Sequence, residues 1–330
     1  IYSLTLILKK KYTQFYILSR NRPNFLRVTL DSVLKQNDSS IKFEIIISDV
    51  SDNDDVCKMV DKDYSQKNIK YIKRNIVLSQ LRHIQLVVSE LDSEYAVIFH
   101  DDDVLHPDYM HVMSSFLSNN DISVVGCNCM IFKDNISDPK NLSDSKLGMP
   151  NLSSPIKFNN AKDFLERYLP GNGGVAPFPS YMYRTKYLKK IMLKFPFRIG
   201  RTDENTTADV LLVSSLLKYG SILWIEKPLI YYRVHSSNLS VRKNILEIFA
   251  LLNYMKKNGV DKHSTELILF RIMFWVKWTK QQGSFLSNIF HRRYRIILLS
   301  VLLKIIKISM RWNFWKIVLA KYNILKSNVS

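Results

Sequence analysis

From Phe15 to Gly126 short apolar runs alternate with stretches in which apolar residues return every three or four positions. Phe15–Leu18 is a compact β-type run that stops at Ser19-Arg20-Asn21-Arg22-Pro23, after which Leu26, Leu30, Val33 and Leu34 recur at helical spacing. Phe43–Ile47 reads as a second buried strand ending at Ser48-Asp49, and Ile69–Ile72 as a third. Leu81, Ile84, Gln85 and Val88 form a helix face, and Tyr95–Phe99 is a fourth strand running into His100-Asp101-Asp102-Asp103. A helix over Pro107–Leu117 and a fifth strand at Ile122–Gly126 follow. Strand, helix, strand repeated in this way predicts right-handed crossovers and an α/β fold on a mostly parallel sheet.

The later chain is less regular. Asn135–Asn160 is polar and contains Pro and Ser, so a long surface loop is expected there. Gly171-Asn172-Gly173-Gly174 marks a flexible segment without the Lys-Ser/Thr ending of a phosphate-binding loop. From Asp209 a helical run leads to Tyr219-Gly220, then strands are expected around Ile222–Ile225 and Leu229–Val234. Beyond Ser240 the composition shifts and the pattern is helical.

Composition narrows the class. With 330 residues, 46% of them apolar and 12% aromatic, the chain can bury a large core, which excludes a disordered tether. Cys57, Cys127 and Cys129 cannot make a disulfide framework, and Cys127-x-Cys129 lacks the partners of a structural zinc site, so buried or half-buried thiols are expected. The net charge of +19 is unevenly placed: after Glu266 there are twelve Lys and Arg and no acidic residue. Such a segment suits a polyanion, either nucleic acid or an anionic membrane surface. Arg293, Lys304, Lys307 and Arg311 share one helix face, with Leu298, Leu302, Ile305 and Ile306 elsewhere around it, the make-up of an interfacial helix. Ile1–Leu8, followed by three lysines, is too short to span a bilayer and lacks a cleavage pattern.

In open parallel sheets ligands bind beyond the carboxyl ends of the strands. Here those ends carry Arg20 and Arg22, Asp49, and three adjacent aspartates. Adjacent carboxylates repel unless a cation neutralises them, and a hard divalent ion shared with substrate phosphates is the usual solution.

Ser19-Arg20-Asn21-Arg22 with Leu30–Gln36, Glu44–Asp49 with Ser51-Asp52-Asn53-Asp54, Phe99–Pro107, Ala208–Leu212 and Tyr232–Ser240 occur in an order that resembles the family 2 glycosyltransferases. The resemblance covers roughly residues 11 to 240. It implies a Rossmann-like, mostly parallel central sheet flanked by helices, of glycosyltransferase A type, over residues 11–240; composition and charge add a basic amphipathic helical region over 241–330. It also implies an inverting, metal-dependent transferase of the hexosyl or N-acetylhexosaminyl class. Its donor would be a nucleotide-diphospho-sugar, UDP-sugars foremost, and its acceptor a glycan or lipid-linked hydroxyl in envelope or capsular polysaccharide synthesis. On this resemblance Ser19, Arg20, Arg22, Asp49, Arg82, Asp101, Asp102 and Arg233 would bind the nucleotide-sugar. Asp101, Asp102, Asp103 and His235 would hold Mn²⁺ or Mg²⁺, and Asp209 would be the catalytic base.

The chain departs from the family pattern in two places. Ala208-Asp209 stands where the family usually has Glu-Asp, with Asp203 and Glu204 nearby as other carboxylates; Ser79-Gln80-Leu81-Arg82-His83 keeps only the arginine of the usual helix motif. The expected location is cytoplasmic, peripheral on the inner face of the cell membrane. Two other readings are a nucleic-acid-binding protein acting through the basic segment, although no recognition motif for nucleic acid is present, and an inactive glycan-binding relative.

Overall fold

The computed structural model describes residues 12–37, 42–133, 146–149, 155–168, 178–192, 208–235 and 245–260. The basic segment after Glu266, the 171–174 glycines, and Asp203 and Glu204 lie outside the described residues.

The apolar runs form strands. β1 (Tyr12–Ser19) lies between β2 (Lys42–Asp49) and β4 (Tyr95–His100), parallel to both, and β2 is parallel to β3 (Ile69–Lys73). These strands are covered on both faces, which is why Phe15–Leu18, Ile45–Ile47 and Tyr95–Phe99 are near-continuous apolar runs rather than alternating ones. The crossovers are α1 (Pro23–Leu34), α2 (Asp55–Tyr64) and α3 (Gln80–Glu90). In α1, Pro23 fits the first turn, where its missing N–H has no intrahelical partner, and Leu26, Leu30 and Val33 enter the core. The pattern reading above does not include α2, although Val56, Met59, Val60 and Tyr64 are buried at helical spacing.

Beyond β4 the sheet becomes mixed. After the two-residue β5 (Val104–Leu105) and α4 (Tyr109–Leu117), β6 (Ile122–Lys133) is much longer than the Ile122–Gly126 expected. Two short strands, β7 (Lys146–Leu147) and β8 (Ile156–Phe158), occupy a stretch expected to be loop. After α5 (Ala161–Tyr168), β9 (Tyr181–Arg184) inserts antiparallel between β4 and β6. α6 (Thr185–Met192) and α7 (Ala208–Ser215) lead to β10 (Ser221–Val234), parallel to β6. The strand order is β3-β2-β1-β4-β9-β6-β10-β5, with β7 on β6 and β8 on β10. β10 is one strand where two were expected: the ladder shifts register around Pro228, which has no N–H to give, and then resumes.

α8 (Ile245–Lys257) buries Leu251 and Met255, and its Tyr254 hydroxyl lies 3.2 Å from both Ser214 Oγ and Ser215 Oγ of the α7 segment. Cys127 and Cys129 are buried and Cys57 half-buried, all free, as expected. Among the described residues no helix is long and apolar enough to cross a membrane.

A partly buried polar network holds α3 to the end of β2. Arg74 grips Glu90 with both guanidinium nitrogens and donates from Nε to Ser48 Oγ at 3.0 Å. Ser48 Oγ in turn lies 2.8 Å from His83 Nε2, and an acceptor Nε2 for the hydroxyl proton satisfies all three groups. Burial, aided by Arg74, pushes the His83 pKa down to about 4. The unfolded chain therefore binds this proton first as pH falls. The stabilisation is complete above about pH 6.5 and is lost progressively towards pH 4, with a span of about 3 kcal/mol. The difference in urea-unfolding free energy between the wild type and His83→Gln, measured from pH 7.5 to 4, isolates this slope; a difference that stays flat across the range would contradict it.

Gly126 tests the packing of the mixed half. A Cβ there would come within 2.8 Å of Trp224 Cε3 and 3.0 Å of Tyr181 Cε1, both in fully buried rings. Gly126→Ala is expected to destabilise the fold by about 1–3 kcal/mol in equilibrium denaturation, the cost of overpacking.

Candidate active site

The sheet order runs away from β1 in two directions, to β2 and to β4, and the crevice at this switch point is where ligands bind in open α/β sheets. The register pairs Leu18 with His100 and Ser19 with Asp49, so the polar ends of β1, β2 and β4 emerge side by side.

Asp101 faces the β1–α1 turn. Its Oδ2 accepts from Ser19 Oγ and from the Arg20 N–H, each at 3.0 Å, and Arg22 Nη1 lies 3.4 Å from Oδ1. Arg22 also donates to Asp102 Oδ2, which lies 2.9 Å from His235 Nε2. Asp103 turns the third way: its Oδ1 accepts from the Arg233 N–H at 3.0 Å, while Oδ2, in a residue with 0% exposure, has no hydrogen-bond partner among the described residues. The turn is fixed from both sides. Thr29 Oγ1 of α1 lies 2.9 Å from the Asp101 carbonyl and 2.7 Å from that of Asp103, and Arg233 Nε donates to the Asp102 carbonyl at 2.8 Å. The Arg233 guanidinium sits between the rings of Phe25 and Phe132, 4.6 and 4.5 Å from their centroids.

Burial sets the charges. It pushes the Asp101 carboxyl up to about 7 against the pull of Arg22, and raises Asp103 well above the usual carboxylate range. Asp102 is also buried, but the hydrogen bond from His235 and the positive surroundings hold it down to about 2.

Among the described residues His100, Asp102 and Asp103 bring three ligand-type atoms within 4.8 Å of one another. Two of the four residues expected to hold a metal thus fall in this group. Asp101 points to the β1–α1 turn, and His235 is bonded to Asp102. His100 was not among the expected ligands, although its place two residues before Asp102 at a strand end is the available sequence signal. An orphaned, buried carboxylate oxygen beside two further donors fits a divalent cation.

The other expected residues are more dispersed. Asp49 is fully buried, its oxygens taken by the Ser51 N–H and hydroxyl, by Tyr71 Oη at 2.7 Å and by Lys73 Nζ at 3.4 Å. It thereby shapes the turn in which the exposed Asp52 pairs with Asn21 and Arg20. Asn21 takes the left-handed conformation at φ 56°, which asparagine tolerates better than most residues. Arg82 is exposed on α3 and donates to Gln85 at 3.1 Å. Asp209 is half-buried in the first turn of α7, where its Oδ1 accepts from the Val210 N–H at 2.7 Å and its charge reaches the buried Tyr183 hydroxyl. Carboxylates are favoured at such helix N-termini.

The fold has known counterparts. A TarS 1–349 structure from S. aureus, solved with UDP-GlcNAc, matches at TM-score 0.52 and 14% identity over 78% of this chain and 71% of that one. Another, with UDP, matches at 0.50 and 15% over 89% and 79%. The mannosyltransferase PcManGT from Pyrobaculum calidifontis, solved with GDP-Man and Mn²⁺, matches at 0.50 and 11% over 91% and 87%. Other matches span 60% of TarS 1–349 and 45% of a longer TarS chain. No curated protein matches the sequence. The sequence model of Glycosyl transferase family 2 matches residues 15–192, more than half of the chain, and includes the strand ends and all three aspartates. The chain belongs to the family 2 glycosyltransferases.

Proposed function

We propose that the chain moves a hexosyl or N-acetylhexosaminyl group from a nucleoside-diphosphate donor to an acceptor hydroxyl, in one displacement with inversion and with the help of a divalent ion. The observation that carries this is the partnerless, buried Asp103 oxygen beside Asp102 and His100 in the crevice between β1 and β4. The likeness to chains solved with UDP-GlcNAc and with GDP-Man and Mn²⁺ supports a nucleotide-sugar donor.

Asp102 and Asp103 would hold Mn²⁺ or Mg²⁺, with His235 behind Asp102; when bound, the ion supplies Lewis-acid stabilisation of charge growing on the departing diphosphate. Ser19, Arg22 and Asp101 keep the end of β1 in register with the metal turn, and the exposed Arg20 offers a cation to the nucleotide. Asp49 acts through the turn it fixes, whose polar edge at Asn21 and Asp52 forms the nucleoside side of the crevice. Asp209 accepts the acceptor hydroxyl's proton as that oxygen bonds to the anomeric carbon and the bond to the diphosphate breaks. With a carboxylate as general base, the displacement needs no covalent intermediate.

Asp209→Asn keeps the size and the hydrogen bond from Val210 but cannot take a proton. Transfer should fall ~10²–10⁴-fold while donor binding, measured by calorimetry, stays within about twofold. Full activity in this variant would remove Asp209 from the mechanism, and the absence of nucleoside diphosphate release with any nucleotide-sugar would remove the transferase reading.

The acceptor would be a glycan or lipid-linked hydroxyl at the cytoplasmic face of a membrane, in envelope polysaccharide synthesis. The one-signed basic segment after Glu266 supports this, since each Lys or Arg near an anionic surface contributes about 1 kcal/mol. Co-sedimentation with vesicles containing anionic lipid is expected at low salt and should be lost at high salt. No binding at low salt would sink the membrane reading.

A further inference from the structure

We propose that His100 is itself a ligand of the ion at this centre, and that the resulting nitrogen-and-oxygen donor set selects a transition-series divalent ion over Mg²⁺. This rests on the metal-dependent reading above and deepens it, naming the class of ion and the residue that sets it.

Two independent observations meet at this point. His100 offers a ring nitrogen to the same 4.8 Å group as the Asp102 and Asp103 carboxylates. Asp103, which lends a carboxylate oxygen to that group, has its Oδ2 buried without a hydrogen-bond partner among the described residues, a costly state that a cation relieves. The ring is also held in place. Phe178 lies nearly parallel to it, centroid to centroid 6.0 Å at 14°, and the Gln80 side-chain amide lies 2.8 Å from Nε2. Metal-bound imidazoles characteristically have their second nitrogen fixed by such a neighbour.

Ligand chemistry then decides between ions. Mg²⁺ demands near-ideal octahedral geometry at short distances and keeps several waters, so it favours carboxylates and phosphates. Imidazole nitrogen suits the first-row transition ions, whose affinity for such sites rises from Mn²⁺ to Cu²⁺ and falls again at Zn²⁺. A centre with one imidazole and two carboxylates leaves positions for diphosphate oxygens while ranking these ions above Mg²⁺. A ring that only filled the core would be satisfied by Phe178 and Gln80 and would leave ion choice untouched.

The test uses the full chain and Mn²⁺ as the probe, without substrate. Electron spin-echo modulation reports nitrogen bound directly to Mn²⁺, and competition with Mg²⁺ gives selectivity. Wild type and His235→Ala should both show a bound imidazole nitrogen. His100→Gln, checked for folding by near-UV circular dichroism, should lose the His100 contribution and its preference for Mn²⁺ over Mg²⁺ should fall tenfold or more. Absence of nitrogen coupling in His235→Ala with Mn²⁺ bound would overturn the proposal even if His100→Gln failed to fold, as would Mg²⁺ binding as tightly as Mn²⁺ to the wild type. Ion-dependent release of nucleoside diphosphate that persists without nitrogen coupling refutes the His100 assignment alone. Transfer unaffected by a chelator refutes the metal-dependent reading beneath it.

Discussion

Everything around the crevice answers one electrostatic problem: three consecutive aspartates at the buried end of β4. Two like charges about 4 Å apart repel by about 4 kcal/mol even in a moderately polar protein interior. The chain meets this by sending the carboxylates to different neighbours, Asp101 to the β1–α1 turn, Asp102 to Arg22 and His235, and Asp103 to the backbone of Arg233. Asp102 alone of the three is driven towards the charged form, while burial raises the other two. A cation bound among these carboxylates favours their ionised forms, and ion affinity falls in acid wherever binding must release a proton.

The same crowding explains why distant segments are tied to this turn. Thr29 is buried in the middle of α1 and reaches the carbonyls on either side of Asp102. Arg233 arrives from the far end of β10, with its charge against two aromatic faces and its Nε on the turn. It can do so because β10 continues through Pro228 instead of ending there. A local irregularity absorbed by a register shift thus brings the end of β10 to the aspartate turn.

What was legible in the sequence follows from this division. The parallel half was readable because two-sided burial leaves unmistakable apolar runs, Phe15–Leu18 and Tyr95–Phe99 among them, and because polar residues begin where the strands stop. The mixed half was not. Glu226-Lys227-Pro228 reads as a break, and strands as short as β7 and β8 carry too few residues for a period. At the site the aspartates were visible as a cluster, but spacing does not tell which way each one turns. His100 was hidden beside three aspartates that already accounted for a metal, and His83 by standing on a helix face whose other buried members are apolar. Both become chemically meaningful only through long-range partners, Phe178 for one and Ser48 for the other.

The two halves of the proposed chemistry are mounted differently. The donor side rests on the ends of β1, β2, β4 and β10, where a residue can shift only if a strand shifts with it. Asp209 sits at the start of a short helix, α7, which has no place in the sheet. That helix is held partly by Tyr254 of α8, whose hydroxyl meets the serines at its end and whose neighbours Leu251 and Met255 are buried. The position of Asp209, the proposed base, therefore depends in part on chain beyond residue 240, where the composition turns basic and the pattern helical. The proposed donor crevice is thus built on strand ends, while the segment carrying Asp209 is continuous in sequence with the part of the chain proposed to meet the acceptor's surface.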